Sequence, residues 1–281
     1  MRDSFLWRKI KKSDFPRVEK LLIDAENNYV NACAKFLLQK EADVSIWVLS
    51  GKNDDLKAVI VYWKNNILPV LCGHIEALYG FYKEFLSSKK IHSVQGLKPE
   101  VMALEKEITK DRGKPKDIIE YHLMSLDAPP TKKDTSSNIT NLKLVTPKMS
   151  DIDALAPLQA EYEKEEVLPK GATFSPAASR VNTANIIAKG QVLAAEIDGK
   201  FVGKINVSAV SFTRFQVGGV YVYPEFRGRG IAGAMAYEFI SSLISQGRGV
   251  TLFVRKSNIS ACRLYKSLCF KNINDYSIVY Y

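Results

Sequence analysis

Histidine is scarce in this sequence, and its distribution excludes whole classes of chemistry. The 281 residues include three histidines, His74, His92 and His122, and all of them lie in the first half of the chain. A Ser-His-Asp triad built within the second half is therefore excluded. A histidine-rich metal site there is excluded for the same reason. We expect no metal in this protein.

Cysteine pairs and long apolar runs are also missing. The four cysteines, which include no C-x-x-C pair, indicate neither a zinc site nor a disulfide framework, and we interpret them as reduced core thiols: Cys33, Cys72, Cys262 and Cys269. The first 18 residues interleave charges with apolar residues, and no later run reaches membrane-spanning length. We expect a soluble cytoplasmic protein without a membrane partner.

Apolar residues and positive charge are what the sequence does have. Hydrophobic residues make up 46% of the chain, enough for one large core or two of ordinary size. The net charge is +10, and from Val167 onward 14 basic residues stand against 5 acidic ones. This bias favours a polyanionic ligand in the second half. A solubilising surface is the alternative that composition alone supports.

One segment has the composition of a linker. The stretch "APPTKKDTSSN" (128–138) has no apolar residue after Ala128, so it cannot bury enough surface to order itself. We place a linker at 129–138, a first domain at 1–128 and a second domain at 139–281.

The second domain alternates clearly between strand and helix patterns. Its periodicities predict the order β-α-α-β-β-β-α-β-α-β, with a tight hairpin turn at Asp198-Gly199. The first domain follows a fainter version of this order, with a helix predicted over "EALYGFYKEFLSS" (76–88). Both domains are predicted to be α/β (α+β layered), each with a mixed, mostly antiparallel sheet flanked by helices.

The stretch "VYVYPEFRGRGIAGAMAYEFI" (220–240) joins a strand to a helix through Arg-Gly-Arg-Gly. A helix start presents free backbone N–H groups and the positive end of the helix dipole, which suit phosphate oxygens. Gly228 and Gly230 let the backbone come close to an anion, and Arg227 and Arg229 add forked donors. The junction fits a pyrophosphate, although glycines also serve plain turns and arginines plain surfaces.

Two motifs carry a resemblance to the GNAT superfamily of N-acetyltransferases. The pattern Arg227-x-x-Gly230-x-Ala232 is similar to the family's acetyl-CoA signature. The segment "NISACRLYKSLCF" (258–270) resembles the second signature, and it departs from that signature at Cys269, where the family usually has glycine. In the first half the resemblance is architectural only, because no arginine-glycine loop is present there. The whole chain looks like a tandem GNAT protein with a degenerate N-terminal copy.

The resemblance implies a cofactor site and a reaction. Acetyl-CoA would be held by the pantetheine-binding strand, by the phosphate loop and by a residue at the start of the last helix: Val220, Tyr221, Val222, Arg227, Gly228, Arg229, Gly230, Ile231, Ala232, Gly233 and Asn258. A backbone N–H of the strand segment would polarise the thioester carbonyl. An acetyl group would pass to a primary amine of a small molecule or peptide by direct attack in a ternary complex.

The sequence offers one candidate for the general acid and three weaker candidates for the general base. Tyr265 is the candidate general acid, since a phenol can protonate a leaving thiolate; a core tyrosine on an amphipathic helix is the alternative. Glu161, Glu165 and Glu166 are weak base candidates, and a solvated acidic helix is the commoner explanation of such a run.

Two other functions stay open at this point. A non-catalytic acyl-CoA sensor would share the same cofactor site. A basic nucleic-acid-binding module ranks last, because no nucleic-acid-binding motif is recognised. The sequence does not determine the oligomeric state.

Overall fold

The computed structural model describes residues 6–39, 43–51, 55–131 and 140–281. The first half forms β1 (Leu6–Lys9), α1 (Phe15–Leu37), β2 (Val44–Ser50), β3 (Leu56–Trp63), β4 (Asn66–Val70), β5 (Ser93–Leu97), α2 (Lys98–Arg112) and β6 (Asp117–Leu126). The second half forms β7 (Leu142–Val145), α3 (Ile152–Tyr162), α4 (Pro176–Ala188), β8 (Val192–Ile197), β9 (Lys200–Val210), β10 (Arg214–Val222), α5 (Ile231–Ile244), β11 (Gly249–Arg255), α6 (Ile259–Ser267) and β12 (Lys271–Tyr280).

The element order predicted for the second half is confirmed. Its local signals are also visible in the structure. Asp198 and Gly199 have φ values of 48° and 78°, which form the tight turn between β8 and β9. Ser175 caps α4 through a hydrogen bond from the Ala178 amide, and Pro176 occupies the first turn.

The strands of the described residues form one sheet of 12 strands, mixed and mostly antiparallel, in the order β1-β2-β3-β4-β5-β12-β6-β11-β10-β9-β8-β7. The last strand of each half is exchanged. The second half's β12 lies between β5 and β6, with Tyr276 opposite both Leu97 and Tyr121. The first half's β6 in turn pairs with β11. The sheet is therefore continuous across the two predicted domains, and 132–138 of the predicted linker lie outside the described residues.

Helices cover both faces of the sheet in both halves. On one face of the second half, Met235 and Ile240 of α5 pack on Ile205 and Leu252. On the opposite face, α3 and α4 form a smaller core with β8 and β10 around Leu158. In the first half, α1 packs on one face of the sheet and α2 on the other. These layers leave an opening at the C-terminal ends of β10 and β11.

One predicted helix was wrong. Over 76–88 the chain forms a short 3-10 turn (Ile75–Leu78) and a single π-turn (Tyr82–Leu86) in place of a regular helix. Gly80, with φ of 81°, separates the two turns. Because a left-handed residue breaks the helical path, the described stretch 71–92 contains no counterpart of α5.

The interpretation of all four cysteines as core thiols also requires correction. Cys33 and Cys262 are buried, but Cys72 and Cys269 are exposed. The exposed pair occupies left-handed turns, with φ of 50° and 69°. Cys269 therefore adopts the backbone conformation that the family's usual glycine would take without strain.

No helix in the described part of the chain is both long and apolar enough to span a membrane.

Candidate active site

A cleft opens where two parallel strands of the second half separate. β10 and β11 pair from Arg214 opposite Gly249 to Val217 opposite Leu252, and both strands continue beyond that point without pairing with each other. The space between them is a cavity of about 630 Å³. Most of the residues predicted to bind the cofactor line it, and so does Tyr265. Arg229 and Glu161 are not among the lining residues.

A bulge in β10 shapes the wall of the cleft. The register of β10 on β9 passes from Gly218 opposite Asn206 to Tyr221 opposite Lys204, which leaves Gly219 and Val220 without register partners on β9. Gly219 has φ of 59°, and a Cβ added there would lie 1.8 Å from Oδ1 of Asn206. Only glycine fits this position, and the bulge turns backbone groups of β10 out of the ladder.

The Arg-Gly-Arg-Gly junction forms the N-terminal end of α5. Gly228 and Gly230 have φ of 76° and 82°, and at the start of the helix the Ala234 amide donates to the Gly230 carbonyl. The amides of 231–233 precede that bond and belong to the helix start, where N–H groups lack intrahelical acceptors. Those residues line the cleft. This end of the cleft is suited to an anion.

The two arginines of the junction lie in different environments. Arg227 donates to Glu165 Oε2 (2.8 Å) and to the Val222 carbonyl (2.9 Å), with its guanidinium over the Tyr221 ring. Arg229 instead donates to a backbone carbonyl of its own loop, that of residue 225. Of these two arginines, Arg227 is therefore the one that lines the cleft.

Tyr265 lies on α6 and is buried against Phe270 in an edge-on contact. Burial raises the pKa of Tyr265, so its hydroxyl remains protonated through the neutral range. A second tyrosine, Tyr162 at the end of α3, also lines the cleft, and burial raises its pKa to about 12. Tyr162 was not predicted, because within "EYEKEE" its sequence neighbours indicate only a polar helix end.

The three candidate carboxylates lie in different environments. Glu161 pairs with Lys164 in a solvent-exposed contact of 2.7 Å. The hydrogen bond from Arg227 lowers the pKa of Glu165. Glu166 is partly buried in the cleft, and burial raises its pKa even though Arg255 lies 3.3 Å away. Of the three, Glu166 combines position in the cleft with increased basicity.

Asn258 caps α6, and its Oδ1 accepts a hydrogen bond from the Ala261 amide at 3.0 Å. Its Nδ2 donates to Glu166 Oε1 at 3.4 Å. In this structure Asn258 therefore orders the helix start and contacts the carboxylate beside it.

The two exchanged strands, β6 and β12, complete the cleft. Tyr121 on β6 comes from the first half, and Ile278 and Tyr280 come from the exchanged β12. The sequence carried no signal for these residues, because their position depends on the strand exchange. They provide an aromatic and apolar wall on the side away from α5.

The corresponding opening in the first half is occupied by protein groups. The parallel pairing of β4 and β5 covers only 66–67 with 93–94. Beyond it, Glu100 is buried and its Oε1 accepts from the Tyr29 hydroxyl (2.6 Å) and the Leu71 amide (3.1 Å). A backbone donor at this opening is thus already used by a side chain.

Among the residues that the structure describes, no group of three or more His, Cys, Asp or Glu side chains is arranged to hold a metal ion.

The family comparison covers the part of the chain that contains this cleft. Residues 158–270 match the acetyltransferase (GNAT) family. This match supports the assignment of residues 158–270 to the GNAT superfamily. Members of the family normally use acetyl-CoA, and the match supports acyl transfer in general. None of the curated proteins matches the chain significantly.

Solved structures extend the GNAT likeness to the whole chain. A GCN5-related N-acetyltransferase from Sphaerobacter thermophilus is 17% identical with a TM-score of 0.64, over 98% of this chain and 94% of that one. A Drosophila protein is 12% identical with a TM-score of 0.68, over 99% of both chains. A tandem GNAT protein from the clavulanic acid biosynthesis pathway is 13% identical with a TM-score of 0.57, over 98% of both chains. At these identities the likeness concerns the fold, and it fits two GNAT-like halves.

Proposed function

We propose that this protein is an acetyl-CoA-dependent N-acetyltransferase that moves an acetyl group to a primary amine of a small molecule or peptide. The observation that carries the proposal is the convergence of three features on one cleft: the β10 bulge, the free amides at the start of α5, and the Tyr265 side chain. The amides and Arg227 bind the pyrophosphate. The strand segment 220–222 binds the pantetheine arm.

The reaction is a direct attack in a ternary complex. The amine nitrogen forms a bond to the thioester carbonyl carbon, and the bond from that carbon to sulfur then breaks. Tyr265 gives its hydroxyl proton to the departing thiolate, and Glu166 takes a proton from the attacking amine. A carboxylate with a raised pKa suits the second role, because an ordinary carboxylate is too weak a base for an alkylammonium.

In this proposal the first half forms part of the cleft wall and binds no cofactor. Tyr121 provides part of the cleft wall, while Glu100 occupies the first half's own strand opening. We therefore expect one acetyl-CoA per chain, bound by residues of the second half.

Cofactor binding tests this assignment directly. Calorimetric titration of the full chain with acetyl-CoA should give one site, and the ligand should raise the melting temperature by mass action. Arg227→Ala should weaken binding, and Arg229→Ala should weaken it less, since Arg229 lies outside the cleft lining. Arg180→Ala, which removes an exposed arginine on α4, is the matched control. Absence of saturable binding, or two equivalent sites, contradicts the proposal.

Turnover distinguishes an enzyme from a sensor. Thiol release from acetyl-CoA should be screened against polyamines, amino sugars, amino acids and peptides. Tyr265→Phe should lower kcat by about 10²-fold or more while leaving acetyl-CoA affinity nearly unchanged, because general acid catalysis typically contributes that much. Binding of acetyl-CoA without thiol release to any acceptor would favour an acyl-CoA sensor.

A further inference from the structure

A buried lysine lies directly behind the wall of the cleft. Lys204, on β9, has a relative exposure of only 1%. Its Nζ donates to Asn206 Oδ1 and to the Gly219 carbonyl oxygen, each at 2.9 Å, and lies 4.5 Å from the centre of the Tyr162 ring. Burying an amino group among neutral oxygens costs solvation free energy, so its retention points to a role.

The Gly219 carbonyl belongs to the same peptide unit as the Val220 amide. The described chain contains no cis peptide bonds, and in a trans peptide the C=O and N–H groups point in opposite directions. Since the carbonyl faces Lys204, the Val220 N–H points away from Lys204. Val220 itself lines the cleft. The geometry therefore directs this amide towards the space where the thioester would lie.

The hydrogen bond from Lys204 also changes the donor strength of that amide. A donor on a peptide carbonyl polarises the whole peptide unit and strengthens its N–H as a donor. The contact between Lys204 Nζ and the Gly219 carbonyl requires glycine at position 219, because a Cβ there would lie 2.7 Å from Lys204 Nζ. The position of Lys204 therefore depends on the β10 bulge.

We propose that Lys204 is a positioning residue for acyl transfer: by binding the Gly219 carbonyl, it fixes and polarises the Val220 amide that donates to the thioester oxygen. This inference rests on the proposed function. Lys204 acts through the peptide and does not touch the substrate.

The arrangement is sensitive to pH. Burial lowers the pKa of Lys204 to about 7, although Glu163 opposes the shift. The groups facing Lys204 are the Tyr162 ring and Glu163 from the end of α3, Asn206 from β9, and the Gly219 carbonyl from β10. An ammonium is a stronger donor than a neutral amine. Polarisation of the thioester should therefore increase as the pH falls through about 7.

Infrared spectroscopy of acetyl-CoA labelled with ¹³C at the thioester carbonyl, bound to the full chain, tests the inference without an identified acceptor. In the wild-type protein the carbonyl band should lie below that of the free thioester, with a pH-dependent step near pH 7. Lys204→Met, a near-isosteric change, should move the band back towards the free value and abolish the step. Its acetyl-CoA affinity should stay within about threefold. With an acceptor identified by the thiol-release screen, its kcat should fall about tenfold, less than for the direct loss of an oxyanion donor. Lys200→Met, at an exposed position of the same strand, is the matched control and should keep the wild-type band.

A second variant keeps the lysine in place. Asn206→Asp puts a carboxylate beside Nζ, which favours the ammonium, so the pH step should move upward. A wild-type band and pH profile in folded Lys204→Met overturns the inference while the proposed function stands. If that variant does not fold, an unmoved step in Asn206→Asp overturns it. Failure of wild-type protein to bind acetyl-CoA overturns the proposed function itself.

Discussion

Glu165 and Arg227 form an ion pair that connects two walls of the cleft, with 2.8 Å between Oε2 and Nη2. Glu165 follows α3, whereas Arg227 belongs to the loop before α5. Both side chains are 44% exposed, so the pair is accessible to solvent and to ligands. A pyrophosphate bound at this loop would compete with the Glu165 carboxylate for the same guanidinium.

Glu165→Gln should therefore tighten acetyl-CoA binding. The substitution removes a competing negative charge and releases Arg227, and an exposed pair of this kind is worth up to about 1 kcal/mol, or roughly a fivefold change in Kd. Calorimetric titration at low ionic strength measures the effect. Glu161→Gln, which breaks an exposed pair outside the cleft, is the control. Weaker binding, or a collapse of kcat, would instead assign Glu165 to the substrate or base site.

The two halves are joined by a buried carboxylate. Glu26 of α1 accepts hydrogen bonds from the Ser211 hydroxyl and from the Thr213 amide (2.8 Å) and hydroxyl in the turn between β9 and β10. Glu26→Ala removes the acceptor of these three hydrogen bonds and should lower the free energy of unfolding by about 2–3 kcal/mol. Chemical denaturation measures this loss. Glu19→Ala, on the exposed side of α1, should change stability by less than about 0.5 kcal/mol.

Stability should depend on the ionisation of Glu100. Burial raises the pKa of Glu100 to about 7, above the value of about 4.3 in an unfolded chain. The native state therefore holds a proton that the unfolded state has released. The resulting stabilisation is complete below about pH 4 and is lost as the pH rises to about 7.

Glu100→Gln should remove that decline, because the amide oxygen can still accept from Leu71 and carries no charge. Relative to wild type, the variant should gain about 2–3 kcal/mol between pH 5 and pH 8. Urea unfolding at several pH values provides the measurement. Glu107→Gln on the same helix serves as control, and an identical pH slope in wild type and Glu100→Gln would disprove the burial argument.

The second half expressed alone, as 139–281, should be poorly soluble or inactive. Without the first half, β12 loses its partners β5 and β6, and β11 loses β6. Unpaired strands of this kind promote association between molecules. Size-exclusion chromatography and acetyl-CoA titration check the expectation. A monomeric fragment with the full chain's stability and turnover would show that the first half is dispensable, and would contradict its assigned role in the cleft.

Local sequence determined much of this protein. The order of elements in the second half follows from hydrophobic periodicity and turn residues, which act over a few positions. The positive φ values at Gly228 and Gly230 follow from the strand-to-helix junction, where glycine adopts them with least strain. The two family motifs lie in such local segments, so the resemblance to the GNAT superfamily could be recognised without the structure.

Only the tertiary structure decided what surrounds those motifs. The exchange of β6 and β12 brings Tyr121 into the cleft, and the β10 bulge buries Lys204 beside Gly219. The ion pair of Glu165 with Arg227 joins residues 62 positions apart. These contacts depend on how strands pair and helices pack across long sequence separations. A hydrophobic pattern specifies which face of a strand is buried, but it does not specify which strand lies beside it.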